Sequence, residues 1–152
     1  MGRAVYVGAA VEVAAPQEQV FALMTDWSRQ REWMFLTTTR EVGPDAVEAY
    51  TGVWPFGVLD TMTVTRWEPP ELVVMEHTGR VVRGRGAFRV RARPGGSRVI
   101  WAEELLLPFG AAGRAGWPLV RPPATAVFRH SLRKLAALAA REAPAARDVT
   151  RA

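Results

Sequence analysis

The sequence predicts an α+β domain in which a curved antiparallel sheet of six or seven strands wraps one long C-terminal helix, with two short helices after the first strand. Three observations lead there. Between residues 35 and 107, segments of alternating apolar and polar residues follow one another across short Gly- and Pro-rich turns, and sequential strands joined that way pair antiparallel. Two short helical patterns interrupt the chain before that run. One long helical pattern closes the chain, and only that segment is long enough to cover the apolar face of such a sheet. A sheet bent round a single helix leaves a cavity between the two.

Residues 3–14 alternate around Val5, Val7, Val11 and Val13, as a half-buried strand does. Pro16 suits the first turn of a helix, whose apolar face is Val20, Phe21, Leu23 and Met24 and whose wet face is Gln17, Glu18 and Gln19. Asp26 or Ser28 is placed to cap a second short helix that runs to Trp33. Strands at 35–42 and 47–54 flank the turn Gly43-Pro44-Asp45. After Trp54-Pro55-Phe56-Gly57, residues 58–67 set Val58, Asp60, Met62 and Val64 on one face and Thr61, Thr63 and Thr65 on the other.

Beyond Pro69-Pro70, residues 72–78 and 81–93 form a hairpin about Gly79. In its second arm Arg83, Arg85, Arg89, Arg91 and Arg93 share one face, opposite Val82, Gly84, Gly86, Phe88, Val90 and Ala92. Pro94-Gly95-Gly96 turns into the last strand, 98–107. Past Pro108-Phe109-Gly110 the pattern is helical, with Val127, Phe128, Leu132, Leu135 and Ala139 on one stripe. Pro122-Pro123 predicts a break or a kink, with the main helix from about 123 to 142 and residues 143–152 frayed. No linker or repeat divides the chain, and 152 residues suit a single domain.

Composition removes several function classes. There is no cysteine, and His77 and His130 form no ligand motif, so neither a disulfide framework nor a zinc or other metal site is expected. No stretch reaches the ~18 apolar residues of a membrane span. The N-terminus is too short and too alternating for a signal peptide, and a cytoplasmic location is the expectation. Residues 1–76 carry five arginines against eleven acids, a net of −6, whereas residues 77–152 carry fifteen basic residues against four acids, a net of +11. Such asymmetry marks either a docking face or a solvated sheet face. No loop interleaves basic and aromatic residues, so nucleic acid is not an expected partner.

The segment VEVAAPQEQVFALMTDWSRQREW, residues 11–33, resembles the opening of the START-like (SRPBCC) superfamily, of which polyketide cyclases/dehydrases are one branch. The matching positions are Ala15, Pro16, Val20, Phe21, Asp26 and Trp33. WEPPELVVMEHTG at 67–79 resembles that family's strand–Pro-Pro–strand step, and GGSRVIWAEELLLP at 95–108 its last strand. The likeness spans about residues 5–142 and implies a helix-grip fold around an internal pocket. The superfamily holds lipid carriers, hormone receptors, aromatic-ring cyclases, ring-hydroxylase domains and co-chaperones, so the fold leaves activity open. The iron motifs of the ring hydroxylases are missing from this chain, and no cofactor is expected.

Strand alternation nominates the pocket residues. Trp101, Glu103 and Leu105 point inward with Val99, and so do His77 and Met75 with Val73, and Asp60 with Met62. Glu103, a carboxylate among apolar neighbours, is expected to have a raised pKa and to serve as acid or base. His77 can do likewise, and Asp60 can orient a water or a ligand hydroxyl. The plainer alternatives are an arginine partner for Glu103, a solvated strand end for His77 and a turn cap for Asp60. Met62, Met75, Phe88, Trp101 and Phe128 are the expected apolar lining, joined by Tyr50 and Trp54. Phe56 and Phe109, from two Pro-Phe-Gly tripeptides at 55–57 and 108–110, are expected to close over a ligand or to plug the barrel mouth. His130 is expected to be exposed and inert.

Three functions compete. The first is binding of a small hydrophobic molecule such as a lipid, a polyketide or another aromatic metabolite. The second is cyclase or dehydratase chemistry by Glu103, His77 and Asp60. The third is docking of an acidic partner, such as an acyl carrier protein, on the Arg83, Arg85, Arg89, Arg91 and Arg93 face.

Overall fold

The computed structural model describes residues 4–143. Its seven strands are β1 (Ala4–Val13), β2 (Thr37–Gly43), β3 (Ala46–Val53), β4 (Phe56–Glu68), β5 (Leu72–Thr78), β6 (Arg83–Arg93) and β7 (Gly96–Leu106). They form one antiparallel sheet in the order β1-β7-β6-β5-β4-β3-β2. Helix α1 (Gln17–Thr25) and a 3₁₀ segment (Trp27–Glu32) lie between β1 and β2, and α2 (Gly110–Glu142) follows β7. This is the helix-grip arrangement, with one face of the sheet turned to the helices.

The inner face is built by alternation. Val73, Met75 and His77 on β5, Phe88 and Val90 on β6, and Val99, Trp101 and Glu103 on β7 are all buried. A register shift between Val64 and Arg66 resets the alternation in β4, as an extra residue on one strand does. Met62 faces the core before it; after it Trp67, half exposed, meets Phe21 edge-on, with centroids 5.4 Å apart. From α2, Leu132, Leu135 and Ala139 are fully buried against this face.

Long-range hydrogen bonds seat the short helices. Gln17 Nε2 donates to the Val90 carbonyl and Ser97 Oγ to the Ala15 carbonyl, at 2.8 and 2.6 Å. Arg29 pairs with Glu32 at 2.8 Å and with Glu142 at 2.5 Å, tying the 3₁₀ segment to the end of α2. Asp26 occupies the cap position of the 3₁₀ segment, but its carboxylate accepts from Ser28 Oγ at 2.6 Å and makes no capping bond.

One expectation about the terminal helix is corrected. No break separates residues 110–122 from the rest: α2 is continuous, with Pro118, Pro122 and Pro123 inside it. Each proline removes one backbone donor, but all three lie on the exposed side, where water can serve the freed carbonyls. Ala143 is buried, and its N–H caps the helix on the Ala139 carbonyl; the rest of the tail expected to fray, 144–152, lies outside the described residues. No helix among the described residues is long and apolar enough to cross a membrane.

Candidate functional site

The sheet and α2 enclose a cavity of about 220 Å³. The strands supply Met62, Met75, Phe88, Trp101 and Leu105, the 3₁₀ segment Trp27 and Gln30, and α2 Val127, Phe128 and Ser131. Trp101 organises the aromatic wall. Its ring stacks on Phe128 with centroids 3.8 Å apart and planes 9° from parallel. Phe88 and Trp33 meet it edge-on at 5.5 and 6.3 Å. Edge-to-face and stacked contacts are favourable for aromatic pairs, so Trp101 is packed against three other rings.

A row of charged side chains crosses this apolar surface. Adjacent strands β4 and β5 bring Asp60 beside His77, and β7 brings Glu103 from two strands away. Gly86 on the intervening β6, paired with Glu103, makes the crossing possible. A Cβ there would lie 2.6 Å from both oxygens of the Glu103 carboxylate. The carboxylate therefore lies flat over the glycine and reaches the imidazole. His77 Nδ1 is 2.7 Å from Asp60 Oδ2, and His77 Nε2 is 2.8 Å from Glu103 Oε2. Trp101 Nε1 donates to the other Glu103 oxygen at 2.8 Å.

Burial disfavours the charged ring of His77, but the hydrogen bonds to Asp60 and Glu103 and their negative charges outweigh it and raise its pKa to about 10. At neutral pH His77 is therefore an imidazolium that donates from both nitrogens. Glu103, expected among apolar neighbours, also accepts two hydrogen bonds, from His77 Nε2 and Trp101 Nε1. Among the described residues no group of three or more His, Asp or Glu side chains is placed to hold a metal ion, and both ring nitrogens of His77 are already engaged.

Of the residues nominated from sequence, Asp60, His77, Glu103, Met62, Met75, Phe88, Trp101 and Phe128 line this one cavity. Four others do not. Tyr50 and Trp54 face the opposite side of the sheet, where they border a groove with Arg40, Glu48 and Leu59. The reason is the phase of β3, which turns Val47, Ala49 and Thr51 inward. Phe56 and Phe109 are 88% and 86% exposed and touch no ligand space. β4 pairs with β5 only from Met62 onward, so Phe56 sits on a hairpin end that projects past the sheet. Phe109 precedes α2 with φ 65°, a left-handed corner outside the cavity. His130 is exposed, edge-on to Phe35.

Sequence reading missed Trp27, Gln30, Phe35, Ala49 and Thr51, which also line the cavity, and it missed the role of Gly86. A glycine inside a strand often marks the close approach of another group, and that was the available signal. The arginine face is a mixed one rather than a single-sign stripe. Arg89 pairs with Glu71 and the neighbouring Arg98 with Glu12, each at 2.7 Å, and Arg85 lies across from Glu76 and Glu104.

No curated protein matches the sequence. Solved structures share the architecture. A conserved protein from Geobacillus kaustophilus superposes with a TM-score of 0.74 at 14% identity, over 90% of this chain and 96% of that one. A protein from Thermus thermophilus gives 0.70 at 17% identity, over 86% and 94%. The di-domain aromatase/cyclase StfQ of the steffimycin biosynthetic pathway gives 0.71 at 12% identity, over 93% of this chain and 53% of that one. At such identities the likeness is one of fold. The sequence itself matches the family described as polyketide cyclase / dehydrase and lipid transport along residues 5–140. With the match running from β1 to the last turn of α2, the chain belongs to that polyketide cyclase/dehydrase and lipid transport family.

Proposed function

We propose that the protein binds a small, mainly apolar molecule in the cavity between the sheet and α2. The observation that carries this reading is the cavity itself: an aromatic and methionine-lined space of about 220 Å³ with a single charged row on its wall. Pockets of this kind, apolar with a few placed polar groups, are the usual form of small-molecule sites. The test is uptake of 1-naphthylamine, a neutral two-ring probe at pH 7 whose emission changes in apolar surroundings. The wild type is expected to bind it, and Ala49→Leu, which puts a larger side chain into the cavity, is expected to lose it. A wild type that takes up no probe, and that carries no small molecule in native mass spectrometry, refutes the reading.

A second reading is favoured by one observation, the Asp60–His77–Glu103 row. Three titratable groups bonded in sequence on a pocket wall are what proton transfer in a cyclase or dehydratase requires. In that reading the proton acceptor is Asp60 or Glu103, since His77 keeps its proton to about pH 10. Asp60→Asn and Glu103→Gln would then lower turnover of a polyketide substrate by ~10²–10⁴-fold with binding nearly kept. Normal binding beside a wild type without turnover leaves the carrier reading.

A further inference from the structure

We infer that the cavity selects ligands that bring a hydrogen-bond donor, a hydroxyl or an ammonium group, on a scaffold of one or two rings, and that it rejects carboxylates and other anions. This rests on the binding reading above and narrows it. Its basis is a count of donors and acceptors on the charged row. His77 spends one N–H on Asp60 and the other on Glu103, and Trp101 spends its only N–H on Glu103. Every donor of the row is committed.

Acceptors remain. A carboxylate offers about four lone-pair sites. Glu103 uses two, Asp60 uses one through Oδ2, and Asp60 Oδ1 is buried with no partner. Of the neutral polar groups nearby, the Thr37 hydroxyl donates to the Phe35 carbonyl and meets Thr51, the Gln30 amide donates one N–H to the Met24 carbonyl and accepts from Thr39, and Ser131 Oγ accepts from the Phe35 N–H, its own hydroxyl proton being a donor on the α2 side of the cavity.

Charge points the same way. Among the described residues no lysine or arginine lines the cavity. The row sets two carboxyl groups against one imidazole, so its acidic groups outnumber its basic one. An anionic ligand would meet like charge where little solvent screens it, whereas a donor would meet carboxylate lone pairs that the row leaves unused. Size sets the scaffold. An apolar cavity of roughly 150 Å³ holds benzene, so about 220 Å³ suits a two-ring core.

The experiment is calorimetric titration at pH 7 with four probes on one skeleton: naphthalene, 2-naphthol, 2-naphthylmethylamine and 2-naphthoate. The wild type, Ala49→Leu and Asp60→Asn are compared. At least one donor probe is expected to bind about tenfold or more tighter than naphthalene, as a hydrogen bond to a charged acceptor provides. Naphthoate is expected to bind at least tenfold more weakly than naphthalene, and Asp60→Asn to narrow that gap. Which donor probe leads identifies hydroxyl or ammonium as the anchor. Naphthoate binding as tightly as the donor probes, or four equal affinities, overturns the inference and leaves the cavity reading standing. No binding by any probe, or binding unchanged in Ala49→Leu, overturns the cavity reading and the inference with it.

Discussion

Replacing Gly86 by alanine tests whether the charged row is held as described. The new Cβ would lie 2.6 Å from both Glu103 carboxylate oxygens and 2.8 Å from its Cδ. Those atoms end a flexible side chain, so the carboxylate moves rather than the backbone. Moving it breaks the bonds from His77 Nε2 and Trp101 Nε1, each 2.8 Å long. A hydrogen bond to a charged group contributes about 1.5–3 kcal/mol, and the lower chain entropy of alanine returns only about 0.5–1 kcal/mol. The expected net loss is about 2–5 kcal/mol, read by urea unfolding, or a fall in Tm of roughly 5–15 °C for a domain of this size. The double variant Gly86→Ala/Glu103→Ala should lose less than the sum of the single losses, because without the carboxylate the methyl group meets nothing there. Gly86→Ala as stable as the wild type, or strict additivity in the double variant, would refute the close packing of Glu103 on β6.

Two further outcomes follow from the same wall. Trp101→Ala should cost about 3–5 kcal/mol in urea unfolding, as loss of a buried Trp does, and should weaken probe binding in parallel, since the ring both fills the core and lines the cavity. The raised pKa of His77 should make stability fall with pH. The folded state holds the proton to about pH 10 and the unfolded chain to about 6.5, so the contribution is complete below about pH 6.5 and is lost by about pH 10. Across that window the wild type should lose up to about 1.4 kcal/mol per pH unit more than His77→Gln does; equal slopes in the two proteins would show that the histidine is not held as an imidazolium.

Most of the fold was legible because its determinants are local. The alternation of residues 98–107 and the spacing of Leu132, Leu135 and Ala139 report burial directly, and the strand order follows from short turns. What escaped depends on register or context. The irregularity between Val64 and Arg66 has no marker in the sequence, yet it decides that Trp67 faces Phe21. Tyr50 looks like a pocket residue by composition, but the phase of β3 sends it to the outer face. The paired prolines of α2 signal a break, and only their exposure shows why the helix continues. For the site, alternation brought Asp60, His77 and Glu103 to one face, but not into contact. Their bonds join residues 17 and 26 positions apart and need Gly86 to be empty. Trp27 and Gln30 reach the cavity from a 3₁₀ segment, where neither of the usual periodicities applies.

The charged row is poorly explained as a device for stability. Each buried ion costs several kcal/mol of desolvation, and apolar residues of similar volume commonly replace such clusters with no loss. Aliphatic side chains at positions 60, 77 and 103 would extend the surface already formed by Met62, Met75 and Trp101. A polar row on an otherwise apolar cavity wall fits a site that orients something bound there. Its character then bears on carrier against catalyst. An acid–base group works best with a pKa near the operating pH, and His77, held to about 10, is a fixed positive charge at pH 7. That charge stands between two carboxylates in an apolar space and donates to both. The histidine is therefore a positioning group in either reading, and any proton transfer falls to the carboxylates it holds.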